Sequence, residues 1–440
     1  MRCIVQFIFF AIAFLAIGCS TKEGKGLFDL GNSAAGDKTL KLLFVGDIMQ
    51  HSVQIRSAYD PKSGRFDYEP CFRYVSPLFE KADFVIGNLE LTLNDKNNYS
   101  GYPTFKAPDI LAEYLQKAGF DVLLTANNHI NDNGKYGLMH TLDVLDSFNL
   151  KHTGAFRNEA ERSAKYPLIL EKKIDGVNFR IALLSYTYGT NGMPTYEPNI
   201  VNLIDTIQIK LDMQKASKLN ADFIIVCMHW GQEYQHTQNK DQEKLTKWLW
   251  ENGADLVVGS HPHVIQPIVS DSVSIGKNAF KKVTCAYSLG NFISNQFNPP
   301  ASNIGLIYEV ELTKNSKTGK KSIGKHHYMP VFCYIHNQKK SVNNWVYSVI
   351  PISAFKNDST NFLGMSKSKR NEMLKDYERT QKLLSKYAAT EMKISYADIV
   401  KAGILPLDSV VTALVPMAKP IPPNIRRYSS TKKKSKKSKK

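Results

Sequence analysis

From Thr39 onward the chain alternates short apolar runs with segments of helical period, and its polar residues gather at particular joints. Leu40 to Val45 reads as a buried strand that stops at Gly46-Asp47. Asp83 to Ile86 is a second, ending at Gly87-Asn88-Leu89-Glu90. Pro108-Asp109 opens a helix that Gly119 stops, and the strand Asp121 to Thr125 then ends at Ala126-Asn127-Asn128-His129. Tyr136 to Phe148 reads as a helix with Leu138, Leu142 and Leu145 on one stripe. The second half repeats the scheme. Asp205 caps a helix through Leu219, and the strand Asp222 to Met228 ends at His229-Trp230-Gly231. Asp241 to Glu251 is helical with Gly253 as its stop, and the strand Asp255 to Val258 ends at Gly259-Ser260-His261-Pro262-His263. Such alternation predicts an α/β fold, a sheet covered by helices.

Five strand-like runs therefore each end at a cluster holding Asp, Glu, Asn or His. Ligands of open α/β sheets bind outside the carboxyl ends of the strands, so these clusters are expected to converge on one rim. The collected residues are Asp47, Glu90, Asn128, His129, His229, His261 and His263. Carboxylates, an amide oxygen and imidazoles suit Mn, Fe, Zn or Mg better than a soft thiolate metal. A His-x-His turn lets two imidazoles serve neighbouring positions, and a carboxylate such as Glu90 can bridge two ions. Two ions roughly 3.5–4 Å apart can ionise a water while clamping a phosphoryl or carbonyl oxygen. Singly, most of these residues have a plainer explanation. Asp47 can be a loop cap, His129 a satisfied loop histidine, and Trp230 a packed wall. Asp132 and Gly134 read as shaping the turn into the next helix. His140, His152, His236, His326, His327 and His336 fall outside the series and are assigned no chemistry. The joint arrangement carries the metal expectation.

The chain ends change the picture of location rather than of chemistry. Met1-Arg2 followed by the apolar run Ile4 to Ile17 is too short for a permanent span and reads as a secretory signal. Leu15-Ala16-Ile17-Gly18-Cys19 resembles a bacterial lipobox, which would make Cys19 a lipidation site and the protein an envelope lipoprotein; whether on the outer or the cytoplasmic membrane stays open. An ordinary cleaved signal is the alternative. Residues 20–38 read as a flexible linker, 39–298 as the main domain, 299–410 as strands and a helix completing or decorating it, and 411–440 as an extended Pro-containing segment with a basic tail. The net charge of +17 invites a nucleic-acid reading, but nine of those positive charges sit in residues 426–440. Nucleic acid is therefore not the expected partner. Cys71, Cys227, Cys285 and Cys333 are widely spaced without a C-x-x-C pair, so neither a zinc knuckle nor a redox pair is indicated.

The series Gly46-Asp47-Ile48-Met49, Gly87-Asn88-Leu89-Glu90, Ala126-Asn127-Asn128-His129, His229-Trp230-Gly231-Gln232-Glu233 and Gly259-Ser260-His261-Pro262-His263-Val264 resembles the CapA family. These are capsule-synthesis or poly-γ-glutamate-associated proteins, a branch of the calcineurin-like metallophosphoesterase fold. Tyr287-Ser288-Leu289-Gly290-Asn291-Phe292 matches a further signature, and the resemblance covers roughly residues 40–295. It implies a sandwich of two β-sheets flanked by helices. It implies one metal held by Asp47, Glu90 and His263 and a second by Glu90, Asn128, His229 and His261. His129 would be the general acid or transition-state donor, with Asn88, Glu233 and Asn291 lining the pocket. The parent pattern begins Asp-x-His, whereas this chain has Met49, and a thioether is a poor ligand for a hard cation. His51, four residues after Asp47, is the candidate to restore that donor. Glu90 is also one methylene longer than the Asp that bridges in the parent pattern, so one or two ions are expected. Metal-dependent hydrolysis or transfer on a phosphoester, or on an amide-type bond of an anionic surface polymer, is the implied function. A non-catalytic binding or export component of capsule assembly is the alternative.

Overall fold

The computed structural model describes residues 36–402, apart from 278, 338–344, 358–360, 362 and 388. The signal segment with Cys19, all but the end of the 20–38 linker, and the 411–440 segment lie outside the described residues.

In the strand Asp37–Ile48, Leu40, Leu42 and Phe44 point to one face, and Leu43 and Val45 to the other. The first set packs with Ile181, Leu183, Phe223, Ile225 and Cys227, which belong to strands of a second sheet, so this cluster fills the space between two sheets. Leu43 and Val45 instead join Leu111 and Leu115 of the helix Ile110–Ala118 and Leu145 of the helix Gly134–Ser147. On the far side, Ile224, Val226 and Met228 meet Ile209 and Met213 of the helix Thr206–Lys218 and Leu249 of the helix Lys240–Glu251. The order of layers is helix, sheet, sheet, helix. Strands buried on both faces explain why the sequence shows unbroken apolar runs rather than alternation with polar residues.

The first sheet has nine strands, with the path Trp345–Pro351, Lys321–Asn337, Ile304–Asn315, Asp37–Ile48, Phe84–Leu89, Val122–Leu124, Lys151–Thr153. The second has six, in the order Leu168–Ile174, Val177–Thr187, Phe223–His229, Leu256–Ser260, Ala279–Ala286, Ile268–Gly276. Asp37–Ile48, Phe84–Leu89 and Val122–Leu124 run parallel in the first, and Val177–Thr187, Phe223–His229 and Leu256–Ser260 run parallel in the second. The alternation alone places the rim on one sheet, but the two-sheet sandwich that the motif resemblance implies is what forms, so the rim is shared by two. Three of the polar clusters come from the first and two from the second.

Helix signals behave as expected at several joints. Gly119 ends its helix at a left-handed φ of 104°, and the Asp205 side chain accepts from Ile207 N at 2.8 Å. Beyond residue 300 the chain forms the strands Ile304–Asn315 and Trp345–Pro351 and the helix Lys367–Leu384, the element types expected of the 299–410 segment. The strand Lys321–Asn337, 17 residues long, is not legible in the sequence, where Gly324, the polar run Lys325-His326-His327 and Pro330 interrupt the pattern.

A stitch joins the two sheets at the rim. Asp47 N donates to Gly290 O at 3.0 Å, and Leu289 N donates to Gly259 O at 3.2 Å, so the Tyr287–Phe292 segment is bound to one strand of each sheet. The approach is close enough to require glycine. A Cβ on Gly46 would lie 1.8 Å from Gly290 O, and one on Gly259 would lie 1.9 Å from Tyr287 O.

Candidate metal centre

The strand ends deliver their side chains into a small buried volume. Asp47 Oδ1 accepts from Asn88 Nδ2 at 2.8 Å, and its Oδ2 lies 3.1 Å from His263 Nδ1. Asn291 Oδ1 is also 3.1 Å from His263 Nδ1. Glu90 Oε1 lies 3.6 Å from His229 Nε2 and 3.8 Å from His263 Nε2. His229 Nε2 is 2.9 Å from Asn128 Oδ1, and its Nδ1 is 3.0 Å from Ser260 Oγ. Every one of these residues is buried, Asp47 and Glu90 completely.

The His-Pro-His turn reaches back by an uncommon backbone. His261 has φ 96° and His263 φ 58°, a left-handed region that non-glycine residues enter seldom and that clusters at functional sites. Pro262 between them limits the alternatives. His261 N donates weakly to Asp47 Oδ2 at 3.4 Å, which holds the second sheet's turn against the first sheet's carboxylate.

Ligand atoms of Asp47, Glu90 and His263 lie within 4.8 Å of one another, and so do those of Glu90, His229 and His261. The two groups share Glu90. Burial pushes the Glu90 carboxyl well above its usual range, with Asp47 adding to the effect. Burial, and then the neighbouring His261, push His229 down. His261 falls to about 3 through burial and His263. Two buried carboxylates beside neutral imidazoles are costly without a counter-charge. Glu90 Oε1 and His261 Nδ1 are buried with no hydrogen-bond partner, as atoms meant for a cation would be. The donor set of carboxylate, amide oxygen and imidazole therefore fits a divalent Mn, Fe, Zn or Mg ion.

His129 stands apart from both groups. Its Nδ1 is 2.7 Å from Asp132 Oδ2, and the same oxygen accepts from Phe105 N. The Phe105 ring meets His129 edge-on at 4.6 Å and His51 at 5.0 Å. Asp132, read from the sequence as a turn former, thus also orients His129; the Asn-His-x-x-Asp spacing carried that signal. Asn127 was missed as well. Its Nδ2 donates to Leu89 O at 2.7 Å and its Oδ1 accepts from His129 N at 3.1 Å, tying two of the rim loops together.

His51 does not join the ligand groups. Its Nε2 lies 3.3 Å from Ser294 Oγ, and burial followed by the charge of His263 pushes it down to about 3. Met49 is buried, its sulfur accepting from Ser294 Oγ at 3.8 Å. Glu233 is exposed at the mouth, beside His261 and His263. Tyr188, unremarked in the sequence, covers the opening with its ring 4.5 Å from that of His261. Among the histidines given no chemistry, His140 pairs with Asp109 at 2.8 Å and His152 with Asp146 at 3.1 Å, both away from the centre.

Comparison with known proteins bears on this geometry. The family described as bacterial capsule synthesis protein PGA_cap matches residues 41–296. The capsule biosynthesis protein CapA of Bacillus anthracis is 33% identical over 273 residues, covering 59% of this chain and 61% of that protein. The PGA biosynthesis protein CapA of Bacillus subtilis is 31% identical over 264 residues, covering 59% of this chain and 64% of that protein. The chain thus spans less than two thirds of the length of these relatives. Among solved structures, the NAD nucleotidase of Haemophilus influenzae aligns at a TM-score of 0.43 with 11% identity, covering 83% of this chain and 67% of that one.

Proposed function

Because the chain belongs to the bacterial capsule synthesis protein family PGA_cap, we propose that it acts in building an anionic surface polymer, as a metal-dependent hydrolase or transferase of the metallophosphoesterase type. The observation that carries this reading is the meeting of two ligand groups at Glu90, two unsatisfied buried atoms among them. Asp47, Glu90 and His263 would hold one ion; Glu90, Asn128, His229 and His261 would hold the other. A divalent ion there supplies charge stabilisation at a phosphoryl or carbonyl oxygen and a water made acidic enough to react near neutral pH. The chain's own residues do the rest. Asn88 fixes the Asp47 carboxylate, and Asn127 holds the His129 loop against the Glu90 loop. Asp132 accepts the Nδ1 proton of His129 in a hydrogen bond, which leaves the Nε2 lone pair free to take up a proton from solvent and pass it to the leaving oxygen or nitrogen. Phe105 keeps water from one edge of that ring.

Purified protein loaded with Mn, assayed on p-nitrophenyl phosphate, its bis-ester and a γ-linked glutamate polymer, tests the reading. Turnover that His129→Ala removes supports it. A chain that binds no divalent ion sinks it. Met49 favours a second reading, because a thioether leaves one ion short of a donor. On that reading full metal content comes with no turnover, and the protein holds polymer during assembly or export.

We also propose that Cys19 carries a lipid that keeps the domain at the envelope. Palmitate labelling that survives Cys19→Ala would refute it. No helix among the described residues is long and apolar enough to cross a membrane.

A further inference from the structure

A third group of ligand atoms lies on the solvent side of the centre. A Glu233 carboxylate oxygen, one nitrogen of His261 and one of His263 are all within 4.8 Å of one another. The two histidines are buried and Glu233 is exposed. Glu233 is held there by the backbone. Gly231 has φ 86° and Tyr234 φ 63°, so the chain reverses just after the strand Phe223–His229. Tyr234 N then donates to Pro262 O at 2.8 Å, which fastens this loop to the His-Pro-His turn itself. The Tyr234 ring lies 6.0 Å from that of His263. A carboxylate so anchored over two imidazoles, one of them with a buried, unpartnered Nδ1, faces a point where electron-pair donors converge.

Taking the metal-centre reading above as its basis, we propose that Glu233 is a metal ligand on the solvent side. It supplies the oxygen donor that the Met49 thioether cannot. Being exposed and carried on a loop, it is also the ligand that an incoming oxyanion displaces. The oxygen of a phosphoryl or carboxylate group takes its place, and Glu233 swings to water with its charge intact. No bond to carbon or phosphorus is made or broken in that exchange.

Titration of the whole chain with MnCl2 by calorimetry tests the proposal, comparing wild type with Glu233→Ala, Glu233→Asp and Glu90→Ala. Circular dichroism checks that each variant is folded. Glu233→Ala is expected to bind Mn about tenfold more weakly or worse, with Glu233→Asp recovering part of the loss. Inorganic phosphate, titrated into protein saturated with Mn, should bind the Ala variant more tightly, since nothing need be displaced. Unchanged Mn affinity in Glu233→Ala overturns the ligand assignment. Equal or weaker phosphate binding overturns the displacement. Full Mn binding by Glu90→Ala overturns the paired-group reading instead, whatever Glu233→Ala does.

Discussion

A single oxygen of Asp132 meets both the Nδ1 of His129, at 2.7 Å, and the backbone N–H of Phe105. One carboxylate therefore sets the imidazole's tautomer and the position of the ring that shields it. Asp132→Asn keeps an acceptor for Phe105 but loses the charge behind His129. It is expected to lower turnover by about a hundredfold or more while metal content stays at the wild-type level. Elemental analysis beside the kinetic assay reads both. A variant that loses metal together with rate would show that Asp132 acts on the ligands and not on His129.

Glu90 belongs to both ligand groups, and its burial makes a bare carboxylate there unfavourable. Chelation should lower the melting temperature of wild type, since an ion at a hundred times its Kd stabilises by about 2.7 kcal/mol. Glu90→Gln should bind little metal and show no such response. In chelator, however, it should melt no lower than wild type, because the amide needs no counter-charge. If the amide variant melts well below chelated wild type, the carboxylate is satisfied by the protein alone.

Much of this centre is legible in the order of residues along the chain. The strand ends, the candidate ligand residues and the carboxylate shared by the two groups follow from polar clusters placed after apolar runs. Three features are not. The division of the rim between two sheets depends on which strands pair, and buried strands look alike in sequence. The second role of Asp132, fixing Phe105, depends on a loop path that brings Phe105 N to the same oxygen. His51 shares a local periodicity with Asp47, but the chain turns into the helix Ser52–Ala58 directly after it, and its side chain goes to Ser294. Spacing gives neighbours along the chain, not the direction taken at a turn.

Gly46 packs against the backbone of Gly290 with no room for a methyl group. Gly46→Ala is expected to cost about 3 kcal/mol or more, at the upper end of overpacking penalties, because the obstruction is backbone and cannot rotate away. Urea unfolding gives the value. Gly319→Ala is the control on strained backbone, since Gly319 has φ 67° with open space around it and should lose far less. A loss at Gly46 no larger than at Gly319 would mean that the crossing yields and contributes little to the cost.

His336 offers a pH test away from the candidate metal centre. It is buried in contact with Tyr334, its ring 4.3 Å away, and its Nε2 has no hydrogen-bond partner. Burial and then Arg73 push it from 6.5 down to about 3. The unfolded chain therefore binds a proton below pH 6.5 that the folded chain refuses, so stability is lost as pH falls from 6.5 toward 3. Between pH 7 and 5 this histidine should account for about 2 kcal/mol of the decline. His336→Phe, measured in the same metal state, should flatten the decline by that amount. An identical decline in the variant would mean that His336 is protonated in the folded protein.

The six residues from Tyr287 to Phe292 are bonded to a strand of each sheet immediately beneath the ligands. A clamp there forbids the two halves of the centre from hinging apart, as lobed enzymes do when they admit a large substrate. If the proposed polymer is the substrate, it must then be threaded across a fixed seat. On the proposed function, what the protein accepts is decided by the exposed edges around that seat, chiefly Tyr188 and Glu233. Those edges can change without disturbing the buried seam of candidate ligands beneath them.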